Sequence, residues 1–419
     1  MTNIPDQNDA GRLLMLYRIT QSFNSTLDLD EVLENVIDAV IEITGAERGF
    51  LMLKDPTGEL VFRVALGMDH ETIEEPEFQV SKTIVQQVAE SGKPLLTSNA
   101  QDDFASRASV INLKLRSILC VPLQHKGLDL GLIYVDNRIQ NDIFTNAELE
   151  LLAAVAASAA AAIENARLYE IAIEKGRMER ELQVAQQVQS SLMPDQVPQV
   201  DGWEIAAYWN SAREVSGDFY DFFRRPDGSL GIVVADVVDK GVPAALFMAF
   251  SRSTLRASLG QQLSPAESIA EANRLICADD AYGMYLTLAY LEVAAGSSHL
   301  TYVNAGHPPP LMRTPGQPVI VPLYRTGKLI GVLEDIEYQH KQVTVEPGSF
   351  VVLYTDGVTE ATNLGGEEFG DQRLKDILLN SDPNVSAEAL LSAITNALDE
   401  FRSKAKQSDD ITLVVLRKV

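Results

Sequence analysis

From Leu13 to Phe23 the apolar positions Leu13, Leu16, Tyr17, Ile19 and Phe23 recur every three to four residues, which predicts a helix. A second helix follows, with Val32, Leu33, Val36, Ile37, Val40 and Ile41 on one face, Asp28 as its cap and Gly45 as its stop. The period then drops to two. Phe50–Leu53 and Leu60–Ala65 read as strands around Asp55-Pro56-Thr57-Gly58, and Ser117–Leu123 pairs with Leu130–Val135 across Lys126-Gly127. Between these pairs, Ser81–Glu90 is helical and ends at Ser91-Gly92. The polar residues 1–10 read as a frayed start.

Asn146 to Leu192 contains no proline and one glycine, so it can run as one helix of about 70 Å at roughly 1.5 Å per residue. Leu149, Leu152, Ala156, Ala159, Ile163, Ala166 and Ile173 are spaced by threes and fours, the mark of a coiled-coil seam or of a helix packed on its own domain. A second seam, Met178, Leu182, Ala185 and Leu192, is out of phase with the first, and the slip is expected near Gly176. Met193-Pro194 ends the helix, and a linker runs to Asp201.

From Trp203 onward, strands are expected at Glu204–Trp209, Gly217–Phe223, Leu230–Val237, Leu286–Val293, His299–Asn304, Gln342–Val345, Phe350–Tyr354 and Ile411–Leu416. Helices are expected at Pro243–Leu259, Pro265–Ala278, Asp371–Leu379 and Ser386–Lys404, the first with proline in its opening turn. Four of the strand-like runs meet an aspartate at one end: Asp218, Asp236, Asp356 and Asp409. An aspartate beside glycine often does no more than cap a turn. Four that converge require cations, because two carboxylates about 4 Å apart repel by roughly 4 kcal/mol at an effective dielectric near 20. With oxygen ligands alone and no cysteine or histidine among them, Mg or Mn is the expected ion, in a two-metal hydrolytic site.

The order SGDFYD, ADVVDKGVPAALFM, VNAGHPPPL, YTDGVTEATN and SDDITLVVL resembles the bacterial metal-dependent serine/threonine phosphatases of the SpoIIE/RsbU branch, within the protein phosphatase 2C-like superfamily. The resemblance covers Trp203 to the C-terminus. It implies an αββα sandwich with two Mn or Mg ions at one edge between the sheets. It also implies that Asp218 bridges the metals, with Asp236 and the Val237 carbonyl on one ion and Asp356 and Asp409 on the other. Asp410 would serve beside them, and Asp221, three residues from Asp218, would be structural. Gly217, Gly241 and Gly357 would keep the backbone close to the ions. Val237-Val238 stand where animal relatives have a histidine, so the proton donor is unassigned. Asp239 adds negative charge, Arg213 and Lys240 are candidates for phosphate contact, and His307 shapes its loop.

AERGFLML, ESGKPLL, RSILCVPL, GLIYVDN and IENARLYE, over about residues 12–168, resemble a GAF domain, an α/β module with a central antiparallel sheet that can hold a small ligand. Asn137-Arg138, Phe144 and Glu148-Leu149 depart from the signature of cyclic-nucleotide-binding members, and the ligand is not legible. An Arg138–Glu148 surface ion pair is expected there. Cys120, within Ile118–Val121, is read as a core thiol.

The fold class is thus α/β (α+β) in two domains, GAF at 12–168 and phosphatase at 203–419, joined by a helical linker at 146–193. The net charge of −25 speaks against nucleic acid or an anionic membrane as partner. The alanine-rich run Leu149–Ile163, broken by Ser158, is not read as a membrane span. Two cysteines and no signal-like start point to a cytoplasmic chain without disulfides. The expected function is hydrolysis of phosphoserine or phosphothreonine on a protein, a STAS-type anti-sigma-factor antagonist by the resemblance, in a homodimer built on the linker helix and regulated by the GAF domain. The rivals are a catalytically silent phosphoprotein scaffold and a metal-dependent nuclease.

Overall fold

The computed structural model describes residues 7–75, 79–100, 113, 115–279 and 283–419, with side chains from residue 14 onward; the expected frayed start lies largely outside this range. The chain divides into two units at Arg177/Met178.

In the first unit, helices α1 (Gln7–Phe23) and α2 (Leu29–Thr44) precede strands β1 (Arg48–Lys54) and β2 (Leu60–Gly67). Helix α3 (Lys82–Ser91), β3 (Leu95–Thr97), β4 (Ser117–His125) and β5 (Leu128–Asn137) complete an antiparallel sheet in the order β2-β1-β5-β4-β3. Asp28 caps α2 by accepting from Glu31 N–H, and Gly45 ends it at φ +62°. Alternation along the strands builds two cores. Leu51, Leu119, Val121, Ile133 and Val135 pack under α2, while Phe50, Met52, Ile118, Cys120, Leu132 and Tyr134 pack under α3. Cys120 is wholly buried, as expected, and burial raises its thiol pKa.

Helix α4 runs unbroken from Asn146 to Leu192. By length and composition it is apolar enough to cross a membrane, yet Leu152, Ala156, Ala159, Ile163 and Ala166 are buried in the core beneath α2. From Leu152 to Ala166 the first expected seam is therefore filled from within the domain, while its last member, Ile173, is exposed. The apolar residues left open begin at Leu168, Ile171 and Met178 (53, 55 and 60% exposed). They share the three-four spacing of Leu182, Ala185 and Leu192, while Ile173, in the phase of the first seam, is 52% exposed as well. The expected Arg138–Glu148 pair does not form. Arg138 instead grips Glu47 (2.6 Å), and Glu148 closes a capping box on Thr145 at the start of α4.

The second unit stacks two five-stranded antiparallel sheets. One has the order β13 (Lys341–Thr344), β10 (His299–Ala305), β9 (Leu286–Val293), β8 (Leu230–Val237) and β7 (Phe219–Arg224). The other has β12 (Ile320–Pro322), β11 (Leu311–Arg313), β14 (Phe350–Tyr354), β15 (Ile411–Lys418) and β6 (Trp203–Asn210). Helices α5 (Val242–Leu259) and α6 (Pro265–Asp279) cover the first sheet over Val233, Ala235 and Val237. The next residues along β8, Ile232 and Val234, face Leu353 and Val414 of the second sheet. Beyond that sheet, Val352, Tyr354, Leu413 and Val415 meet α8 (Gly370–Asn380) and α9 (Ala387–Arg402). Strands buried on both faces read as continuous apolar runs, which is why Leu230–Val237 and Phe350–Tyr354 were recognisable. The short strands β3, β11 and β12 and the four-residue helix α7 (Asp356–Thr359) were not.

Candidate active site

The even positions of β8 and β7 face the space between the sheets, and that parity carries Asp236 and Asp218 into it at one end. Asp218 precedes β7 and is 2% exposed. The second sheet contributes Asp356, at the start of α7 after β14, and Asp409 and Asp410, just before β15. The two sheets are tied across this end by Thr412 Oγ1, which donates to Asp218 Oδ2 at 2.8 Å.

The carboxylates feel one another. Burial, then the charge of Asp236, holds the Asp218 pKa well above the ordinary range. Burial, then Asp356, raises Asp236 to about 7, and burial, then Asp409, raises Asp356. A cluster in which Asp218, Asp236 and Asp356 resist ionisation is one that a cation would stabilise.

Asp410 has a different office from its neighbours. Its Oδ1 accepts from Ala212 N–H (2.7 Å), and its Oδ2 accepts from Ser216 Oγ (2.6 Å) and Gly217 N–H (3.0 Å). It fastens the loop that delivers Asp218. Asp221, on the other face of β7, meets Arg252 and Arg256 of α5 at 3.1 Å each, the structural place expected for it. Lys240 Nζ lies 2.8 Å from Asp409 Oδ2, so it neutralises a member of the cluster rather than standing free. Asp239 is exposed at φ +76° and turns its Oδ1 back to Lys240 N–H.

Two of the three glycines hold the backbone close. A Cβ on Gly357 would lie 1.9 Å from the Asp410 carbonyl oxygen, and one on Gly217 would lie 3.2 Å from the Val237 carbonyl oxygen. Gly241 is open around its Cβ position and is needed for its φ of +83° at the start of α5. His307 is buried, with Nδ1 2.7 Å from Thr287 Oγ1. Asn304 holds its loop through the His307 N–H (2.9 Å) and carbonyl (3.1 Å).

Gln189 is the residue that reading the sequence missed. It is buried on the last turns of α4, where Oε1 accepts from Ser216 N–H and Nε2 donates to Ser216 O, both at 3.0 Å. Nε2 also reaches Ala245 O of α5 at 3.4 Å. A glutamine in a polar helix carries no signal of its own; only its burial reveals it.

Among the described residues, no three Asp, Glu, His or Cys side chains already stand in ligating array. Asp218 is turned to Thr412, and Asp409 to Lys240. The donors are nonetheless all oxygen, mutually repelling and sunk between the sheets, which is the chemistry that hard divalent ions take.

Residues 226–419 match the SpoIIE family (Stage II sporulation protein E), and residues 26–164 match the GAF domain family. The chain joins a GAF domain to a SpoIIE-type, PP2C-like phosphatase domain. It is 29% identical over 238 residues to the phosphoserine phosphatase RsbU of Bacillus subtilis, covering 57% of this chain and 70% of that protein. It is 29% identical over 241 residues to the phosphoserine phosphatase RsbP of the same organism, covering 57% of each. Protein IcfG of Synechocystis is 31% identical over 272 residues, covering 58% of this chain and 42% of IcfG. The chain thus spans between 42 and 70% of the length of these relatives. Among solved structures, the SiaA-PP2C domain of Pseudomonas aeruginosa superimposes with a TM-score of 0.52 at 24% identity, over 58% of this chain and 98% of that domain. That likeness establishes the SpoIIE-type domain as PP2C-like in fold. Phosphatases of this class use divalent metals.

Proposed function

We propose that the chain is a metal-dependent protein phosphatase acting on phosphoserine or phosphothreonine. The observation that carries this is the meeting of Asp218 and Asp236 from one sheet with Asp356 and Asp409 from the other, each of the first three held above its ordinary pKa by burial and a neighbouring carboxylate. These four, with the Val237 carbonyl, would hold two Mn or Mg ions. Bound ions supply a water nucleophile at neutral pH and neutralise charge on the phosphoryl oxygens. The chain's own residues do the positioning. Thr412 orients Asp218, Asp410 and Gln189 fix the loop before it, and Lys240 offsets the charge of Asp409.

The similarity to the phosphoserine phosphatases RsbU and RsbP supports a phosphoserine substrate; the substrate proposed is a STAS-type protein of a partner-switching pathway, and the place proposed is the cytoplasm. The exposed apolar positions Leu168, Ile171 and Met178 support a homodimer through α4, with the GAF domain acting along the same helix. The test is phosphate release from an aryl phosphate and from a phosphoserine peptide, with Mn, with Mg and in chelator. Turnover with either ion, abolished by chelator and by Asp236→Asn, is the expected result. No turnover of either substrate with either ion would leave the silent-scaffold reading standing. Light scattering should find a dimer that Leu168→Asp with Ile171→Asp dissociates.

A further inference from the structure

The segment from Leu323 to Tyr338 crosses the end of the first sheet where Asp236 stands, and its backbone is pinned from beneath. Ile330 exchanges both backbone hydrogen bonds with Leu286 (2.9 and 3.0 Å), and Leu286 is the register partner of Val237. Asn273, buried on α6, donates to the carbonyls of Leu333 and Glu334 and accepts from Gly331 N–H. The Asn304 carbonyl receives Thr326 N–H and Gly327 N–H. Two glycines let the segment lie flush: a Cβ on Gly327 would stand 2.3 Å from the Tyr338 ring, and one on Gly331 would stand 2.8 Å from the Met284 carbonyl.

The tips of this pinned segment are left uncovered. Tyr324, Val332 and Leu333 are 64, 49 and 52% exposed. Arg325 and Lys328 are exposed, and among the described residues neither makes an ion pair. With Leu329 and Ile336 they border a groove of about 660 Å³. Glu334 lies by Asn273 at the other end of the segment, while the exposed Glu337 stands next to Tyr338, whose ring meets Gly327, and among the described residues it pairs with neither cation. A rigid surface with apolar tips and two free cations, on a chain of net charge −25, suits an anionic partner.

We propose that this groove docks the substrate protein, recognising an acidic residue three to five positions from the phosphorylated serine together with an apolar neighbour. The inference rests on the phosphatase reading above. Its spacing follows from the sheet. Ile330 lies two strand spacings from Val237, about 10 Å, and Gly327 lies three from Ala235, about 14 Å, at roughly 4.8 Å per strand. An extended peptide covers that span in about three to five residues at roughly 3.3 Å each. A carboxylate there meets Arg325 or Lys328, and charges of this kind select partners more than they add affinity.

The test compares three substrates of the full chain with Mn: an aryl phosphate, a phosphoserine peptide with Glu at the fourth position, and the same peptide with Lys there. The unphosphorylated forms of both peptides are also titrated by fluorescence anisotropy. Arg325→Glu with Lys328→Glu should lower kcat/KM for the Glu peptide about tenfold, reverse the preference between the peptides and leave aryl phosphate turnover unchanged. Loss on all three substrates alike, or no change on any, overturns the docking surface. If the wild-type chain hydrolyses none of them, the phosphatase reading falls. Anisotropy then decides the groove alone: tighter binding of the Glu peptide, reversed in the variant, upholds it, and equal binding of both sinks it.

Discussion

Thr412 on β15 donates its hydroxyl to Asp218 at the head of β7, 194 residues away in the chain, and this 2.8 Å bond ties the two sheets at the end where the carboxylates gather. Thr412 is itself fully buried, with its N–H on Thr355 Oγ1 at 3.0 Å. The bond sets the rotamer of Asp218. Thr412→Val keeps the shape and leaves the carboxylate without its donor. Mn affinity, read by titration of activity, should fall by about 10- to 100-fold, as when an outer partner of a metal ligand is removed. Thr412→Ser should restore most of it.

Asp221 and Asp218 sit three residues apart with opposite duties. Asp218→Asn should cost a hundredfold or more in turnover, roughly 3 kcal/mol of charge stabilisation, with the fold intact by circular dichroism. Asp221→Ala strands Arg252, which is largely buried, beside the half-exposed Arg256. Denaturant unfolding should show a loss of about 2–3 kcal/mol, below the full cost of breaking a buried pair because Arg256 is screened. Turnover per folded molecule should be nearly unchanged.

His307 predicts a pH dependence of stability. Burial lowers its pKa to about 3, so the neutral ring is the one the fold accepts. The unfolded chain binds a proton near pH 6.5, and the stabilisation is complete above that value and lost as pH falls from 6.5 toward 3. Asp236, raised to about 7, works in the opposite sense, since its protonated form favours the fold between pH 4 and 7. The contribution of His307 is therefore read as a difference. Between pH 6.5 and 5.5 wild type should lose about 1 kcal/mol relative to His307→Gln in parallel chemical denaturations.

Gln189 makes paired hydrogen bonds to the backbone of Ser216, two residues before Asp218. Gln189→Ala leaves two buried backbone groups unpaired, at a cost of roughly 1–3 kcal/mol each. The expected signature is a raised Mn requirement and a drop in kcat, with aryl phosphate KM little changed. Gln189→Glu keeps the acceptor and loses the donors, and should fall between the two. Equal metal titration curves for all three proteins would show that the clamp has no bearing on the site.

The elements were legible because their causes are local. Leu230–Val237, Leu286–Val293 and Phe350–Tyr354 came out at their observed ends, since an apolar run between turn residues admits one reading at that length. The 47-residue helix was legible for the same reason, having nothing inside it to stop it. The short strands β3, β11 and β12 were not, because three residues carry too little pattern and exist only through their partners. Nor could the pattern along α4 say which seam was open, as alanines spaced for a coiled coil are also spaced for a neighbouring sheet.

By itself the sequence determined which carboxylates are candidates, since Asp218, Asp236, Asp356 and Asp409 each stand at the end of a recognisable strand and period-two alternation sends Asp218 and Asp221 to opposite faces. Tertiary structure alone decided what each of them touches. Asp410 was expected beside the ligands, and the structure shows what it holds there: Ala212, Ser216 and Gly217, from nearly two hundred residues away. Arg138 chose Glu47 over Glu148, and Gln189 became a clamp only by being buried. Hydrogen bonds and ion pairs act over about 3 Å, and no spacing along a chain records which distant groups the packing of two sheets will bring within that reach.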